Sequence, residues 1–258
     1  VTDDQITAAS VLPARRHELT LMTDDGLALV GELALPRHWD PVATIVCVHP
    51  LPTHGGMMDS HVLRKASWRL PALASTAVLR FNTRGTTSAA GTSQGSFDQA
   101  RGEGLDLHAA INYVREHSLP APWLVGWSFG TDVILRHAET AAAAGTVAGV
   151  LLLSPPLRYT TPGQLEAWAQ APVPVIALVP ELDDYLPPEP ARERFSVLPN
   201  AQVVDFPGAK HLWVGERYVR QVLNAIVEHV NPDAAPLPTR WTPEDVMAQG
   251  PMDKWSDV

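Results

Sequence analysis

Several functional classes are excluded by what this chain lacks. It holds 1 cysteine in 258 residues, so no internal disulfide can form, and the paired cysteines of zinc, redox and haem sites are missing. Cys47 lies in the apolar run 44–48, where a buried, inert thiol is expected in preference to a second nucleophile. Lys and Arg number 19 against 28 Asp and Glu, a net charge of −9. No basic cluster offers a surface to nucleic acid or an anionic membrane, and the acidic excess fits ordinary solubility. Phosphate-cradling glycine loops are also missing, so no nucleotide, metal or other cofactor is expected. No apolar stretch approaches the ~20 residues that a membrane span requires. The first residues, Val1-Thr2-Asp3-Asp4-Gln5, are acidic and lack the basic start and apolar core of a signal peptide, so a cytoplasmic location is expected.

What is present is a strand–helix rhythm. At 45% hydrophobic over 258 residues, the chain can bury one large core. Runs 17–22 and 27–35 flank Thr23-Asp24-Asp25-Gly26 and read as an antiparallel hairpin. Apolar runs at 44–48, 77–82, 123–125, 149–153, 173–179 and 201–206 read as strands, mostly covered on both faces. Helical periodicity appears at 59–70, 97–114, 131–137, 187–198 and 213–230, with Val219, Val222, Leu223, Ile226, Val227 and Val230 on one side of the last. The Gly, Ser, Thr and Ala-rich stretch 85–95 reads as a flexible loop. This alternation predicts a parallel sheet wrapped by helices, with the hairpin at one edge. From Asn231 the rhythm breaks, because Pro232, Pro236, Pro238 and Pro243 forbid a continuous helix. The expected organisation is therefore a domain over 1–231 and a Pro-rich tail over 232–258. Trp241, Met247, Met252 and Trp255 give the tail apolar surface to dock on the chain itself or on a second copy, a route to a homo-oligomer.

The most informative motif is Gly126-Trp127-Ser128-Phe129-Gly130, set between an apolar run and a helix-compatible one. In that context G-x-S-x-G is a nucleophile elbow, with the serine on a strained turn at the carboxyl edge of the sheet. The plain alternative is a tight strand–helix turn whose serine caps the helix. A serine hydroxyl needs a base to take its proton and a carboxylate to orient that base. Acid and histidine are expected after the serine, in that order, each beyond a later strand. The stretch after 173–179 supplies Asp183 and Asp184, and the stretch after 201–206 supplies His211. Hydrolysis also needs amides for the oxyanion. Phe129, after the serine, is one candidate; Leu51, between Pro50 and Pro52, which have no N–H, is the other.

These motifs resemble the α/β-hydrolase superfamily, whose members share the elbow, a G-E-x-D-x-x-V-P acid loop and a G-A-x-H loop before the last helix. The match implies Ser128 as nucleophile, Asp183 as acid through Asp183-Asp184-Tyr185-Leu186-Pro187, and His211 as base. The chain departs from the pattern at Pro180, where the family usually has glycine. His49-Pro50-Leu51-Pro52 with Gly55-Gly56-Met57-Met58-Asp59 resembles the oxyanion loop of a small bacterial branch. Phe81-Asn82-Thr83-Arg84-Gly85, followed by Gly102-Glu103-Gly104-Leu105-Asp106, is similar to the same branch. The resemblance spans roughly residues 19–230. It implies a mostly parallel twisted sheet of about eight strands with helices on both faces.

Other chemical groups are given plainer roles. His108, His117, His137 and His229 fall in helices and are expected on solvated faces; His49 and His54 sit where they shape the oxyanion loop or touch substrate. Arg84 is expected to pin its loop, and Glu103 and Asp106 to occupy a helix face. Only about twenty residues separate Ser154 from Val173, enough for a short helix and no cap domain. An open site follows, lined by Met57, Met58, Trp127, Leu157, Tyr159 and Leu212, though Met and Trp there also suit plain core. The leading expectation is a serine hydrolase of small carboxylic esters. The same groups serve a thioesterase, lactonase, peptidase, carbon–carbon hydrolase, acyltransferase or cofactor-free peroxidase, and the same fold serves a non-catalytic binding protein.

Overall fold

Every residue of Ala43–Val48 is buried. Its side chains alternate, Val46 and Val48 entering one apolar cluster and Ile45 and Cys47 another. Successive side chains of a strand point to opposite faces, so this strand is covered on both sides. The Cys47 thiol within it is pushed up to about 12 by burial.

In the computed structural model, which describes residues 4–38 and 40–242, the chain starts with β1 (Asp4–Gln5), β2 (Arg15–Met22), β3 (Ala28–Leu35) and β4 (Ala43–Val48). There follow α1 (His61–Ala74), β5 (Thr76–Phe81), β6 (Thr87–Ser88), β7 (Gly91–Thr92), α2 (Glu103–Glu116), β8 (Pro122–Trp127), α3 (Phe129–His137) and α4 (Glu139–Ala143). The last elements are β9 (Gly149–Leu153), α5 (Pro162–Ala167), β10 (Val175–Leu182), α6 (Pro188–Phe195), β11 (Ala201–Lys210), α7 (Glu216–Val230) and β12 (Arg240–Trp241).

The main sheet has 8 strands in the order β11-β10-β9-β8-β4-β5-β3-β2. From β11 to β5 all pairs are parallel, while β3 and β2 add antiparallel as the expected hairpin at one edge. Leu107 of α2, Val133 of α3, Leu165 of α5 and Phe195 of α6 pack on one face. Leu63 of α1 and Val222 and Ile226 of α7 pack on the other. This is the α/β-hydrolase fold, and α5 is the only α-helix between β9 and β10, so no large cap domain covers the sheet. From β4 the chain passes to β5 on one side and later returns to β8 on the other. The loops leaving β4 and β8 therefore diverge, opening a crevice at their carboxyl ends.

Several local expectations need correction. The helix expected from residue 97 begins at Glu103, because Asp98 accepts the Gly102 amide at 3.0 Å and Gln99 and Ala100 take φ of 55° and 60°. The 85–95 stretch is not a loose loop. It folds as the β6–β7 hairpin, and the Ser93 hydroxyl, accepting from the Val30 amide and donating to Asn82 O, ties it to the sheet. Helix α1 runs past Leu70 across Pro71 to Ala74. Proline offers no N–H to the carbonyl four residues back; that carbonyl, Ser67 O, accepts from the Arg16 guanidinium at 3.2 Å instead.

Glu103 and Asp106 lie on α2, as expected, on its inner face; both are fully buried. Asp106 accepts the Arg84 backbone amide at 2.8 Å and its guanidinium at 2.8 and 3.0 Å, so Arg84 does pin its loop. Burial raises the Glu103 carboxyl, helped by nearby Asp106 and Asp98. The helical histidines are half-buried partners of the backbone or of rings. His137 Nε2 meets Ala100 O at 2.7 Å, His108 Nε2 meets His137 O at 2.9 Å, His117 stacks on Tyr113, and His229 faces Trp123.

Beyond α7, Leu237 is buried with its amide on Asn224 Oδ1 at 2.9 Å, and β12 pairs antiparallel with β1, Trp241 opposite Asp4. Met247, Met252 and Trp255 lie outside the described residues. Among the described residues no helix is long and apolar enough to cross a membrane.

Candidate active site

Ser128 follows β8 directly and takes φ +52°, ψ −116°. A positive φ is costly for a residue with a side chain and persists only where the surroundings impose it. Here the two glycines of the motif do so. A Cβ on Gly130 would lie 2.1 Å from Val48 O, and one on Gly126 would lie 2.7 Å from the Gly130 backbone. Only bare backbone lets α3 start this close to the end of β4. The turn is closed by the Ser128 amide on Leu153 O at 2.8 Å and by the Thr131 amide and hydroxyl on Ser128 O. The Ser128 hydroxyl does not cap α3, which removes the plain reading of the serine.

Instead, Ser128 Oγ lies 2.8 Å from His211 Nε2, and His211 Nδ1 lies 2.9 Å from Asp183 Oδ2. Asp183 is buried, and its other oxygen accepts the amides of Tyr185 and Leu186 at 2.8 and 3.2 Å. Asp184, its neighbour, is exposed. The Tyr185 ring lies 4.6 Å from the imidazole. A hydroxyl bonded to an imidazole that a carboxylate orients can lose its proton as it attacks.

No family model matches the sequence. An uncharacterised protein of Rickettsia prowazekii is 27% identical over 168 residues, 63% of this chain, and the match spans 65% of that relative's length. A serine hydrolase without a lid from Xanthomonas campestris matches with TM-score 0.67 at 27% identity, over 88% of this chain and 99% of that one. An esterase from Pyrococcus furiosus matches with TM-score 0.65 at 16% identity, over 84% and 93%. The chain belongs to the α/β-hydrolase superfamily.

In this α/β-hydrolase the loop after β4 faces the elbow. Leu51 is half-buried, and its carbonyl accepts the amides of His54 and Gly56 at 3.0 Å, folding the loop into a single turn. The Phe129 amide stands at the first position of α3, where no helical carbonyl is available to it. His49 is fully buried behind the loop, and that burial lowers it to about 4. His54 is exposed, its Nδ1 3.1 Å from the Thr53 hydroxyl.

The expected lining residues separate into two groups. Leu212 is exposed, and Met57, Leu157 and Tyr159 are half-buried; the Tyr159 ring packs edge-on against Phe129. Met58 and Trp127, in contrast, are core, 3% and 2% exposed. The Trp127 side chain points under the histidine loop, its indole N–H donating to His211 O at 3.2 Å. A cavity of about 210 Å³ lies between α5 and α6, lined by Leu157, Leu165 and Val197 among others. It contains none of Ser128, Asp183 and His211.

Asp132 was missed by sequence reading. It lies in the first turn of α3, fully buried, and its carboxylate accepts the amides of Arg158, Tyr159 and Thr160 and the Thr160 hydroxyl. Burial raises it despite these donors. One acid beside Val133, Ile134 and Leu135 was the only signal. Among the described residues no cluster of three or more His, Cys, Asp or Glu is arranged to hold a metal ion.

Proposed function

We propose that this chain is a serine hydrolase of small carboxylic esters. The observation that carries the reading is the unbroken hydrogen-bonded line from Ser128 Oγ through His211 to Asp183, 2.8 and 2.9 Å long. In this reading Ser128 Oγ attacks the ester carbonyl carbon while its proton passes to His211 Nε2. The carbonyl oxygen becomes an oxyanion held by the amides of Leu51 and Phe129. As the C=O re-forms, the alcohol leaves with the proton from His211, and the acyl group stays on Ser128. Water then attacks the acyl carbon, again through His211, and the free acid departs. Asp183 keeps the remaining imidazole proton on Nδ1 and offsets the charge of the imidazolium.

Substrate class follows from the walls. Tyr185 and Leu212 are 62% and 56% exposed beside the histidine, and Met57, Leu157 and Tyr159 are half-buried on neighbouring loops. Apolar walls without a covering domain suit an ester with a short or medium acyl chain.

The test is incubation with a fluorophosphonate probe and mapping of the labelled residue, alongside turnover of a chain-length series of nitrophenyl esters. Labelling at Ser128 and loss of more than about a thousandfold in turnover for Ser128→Ala are expected. Turnover retained by Ser128→Ala would leave the serine as a turn residue and end this reading.

A further inference from the structure

His211 and Ser128 come from strands that are not neighbours. β11, which delivers His211, is an edge strand, and β10 and β9 separate it from β8. At ~4.8 Å per strand, about 14 Å lie between the two strands. A histidine side chain is much shorter than that, so the backbone of the His211 loop has to lean inward across the ends of β10 and β9.

Two side chains hold it there. The His211 carbonyl accepts the Trp127 indole N–H at 3.2 Å and the Ser154 hydroxyl at 3.1 Å. Trp127 ends β8 and precedes Ser128; Ser154 follows β9, buried, with φ +49° and its amide on Leu178 O of β10 at 2.9 Å. Both donors are therefore anchored in the sheet beneath the site. The indole is braced in turn by the His61 ring, edge-on at 5.1 Å. His61 Nε2 lies 3.2 Å from Trp213 O, two residues beyond His211. The base loop is thus sewn to the nucleophile's own strand, to its neighbour and to α1.

We propose that Trp127 and Ser154 are positioning residues that set the His211–Ser128 distance by holding the His211 carbonyl. The proposal rests on the Ser128–His211–Asp183 reading above. It predicts an effect on the chemical step and not on substrate capture, because neither residue faces the open site. A displacement of about 1 Å of a catalytic group costs on the order of a hundredfold in rate.

The experiment compares Ser154→Ala, which removes only the hydroxyl, with Trp127→Phe, which keeps an aromatic ring but no N–H. Each is expected to lower kcat about ten- to a hundredfold with KM within about twofold. Fluorophosphonate labelling of Ser128 should slow by the same factor. In proton NMR, the resonance of the proton shared by His211 Nδ1 and Asp183 should broaden, while the thermal midpoint falls by no more than about 4 °C. Wild-type kcat in both variants, with Ser128→Ala inactive, overturns the proposal and leaves the hydrolase reading standing. A fall in activity matched by loss of folded protein, with the shared-proton resonance unchanged, overturns it as well. Turnover in Ser128→Ala would instead remove the reading on which it rests.

Discussion

His49 Nε2 accepts the backbone N–H of Thr83 at 3.0 Å. The ring proton therefore sits on Nδ1, which donates to Pro50 O at 2.7 Å. Pro50 C=O and Leu51 N–H are the two ends of one planar peptide and point in opposite directions. By holding the carbonyl, His49 also aims the Leu51 amide, the proposed oxyanion donor. A protonated ring has no lone pair for Thr83, which agrees with the low value imposed by burial.

Stability should consequently fall in acid. His49 titrates near 4 in the fold against 6.5 as its ordinary value, so the unfolded chain binds the extra proton first. The contribution is complete above about pH 6.5 and is lost as pH falls toward 4, about 3 kcal/mol in all. His61, His137 and His229 are also lowered by burial and act with the same sign. Urea unfolding at pH 7 and pH 4.5 should show this loss, and His49→Gln should reduce the difference without abolishing it. An undiminished difference would place the effect elsewhere.

Asp183→Asn should lower kcat by about a thousandfold or more, since an amide in place of the carboxylate no longer selects the His211 tautomer. Asp184→Asn, at an exposed position, should remain within about twofold of the parent. Steady-state ester hydrolysis decides between them, and the reverse ranking would move the proposed acid one residue along.

Gly130→Ala tests the close approach of α3 to β4. The added methyl would sit 2.1 Å from Val48 O, a backbone atom that cannot swing away. A loss of about 1–3 kcal/mol or more in urea unfolding is expected, together with lower kcat as the Phe129 amide shifts. Unchanged stability would mean that the elbow relaxes freely.

Truncation after Asn231 tests the proposal that 1–231 is the catalytic domain and 232–258 a tail. All the proposed catalytic groups precede it, so ester turnover should survive. Leu237 would lose its place against the α1 and α7 face, at about 1.5–3 kcal/mol, and the Trp241–Asp4 pairing would be gone. A lower thermal midpoint with intact kcat is expected, and sedimentation would show any change in association. Loss of turnover with the protein still folded would make the tail part of the active site.

Sequence by itself determined the sheet and the order of its chemistry. Doubly buried strands read as apolar runs, and Ser128, Asp183 and His211 each sit just beyond such a run, so local periodicity and turn chemistry were enough to nominate them. Sequence leaves Asp183 and Asp184 side by side as candidate acids; which of them meets His211 is a tertiary fact, the Asp183 carboxylate lying 2.9 Å from His211 Nδ1. What only the tertiary structure decided involves partners distant in the chain. Trp127, a candidate wall of the site when read in sequence, turns inward to a carbonyl 84 residues away, and Ser154 reaches the same atom from 57 residues away. Arg16 completes α1 at Pro71 through a carbonyl 51 residues on, and the Asp98 carboxylate moves the start of α2 by taking the Gly102 amide, which a helix beginning at Phe97 would give to the Asp98 carbonyl. Such bonds leave no period or spacing in the sequence. They form because a buried donor or acceptor without a partner is costly, and which partner is within reach depends on where the packed sheet has placed it.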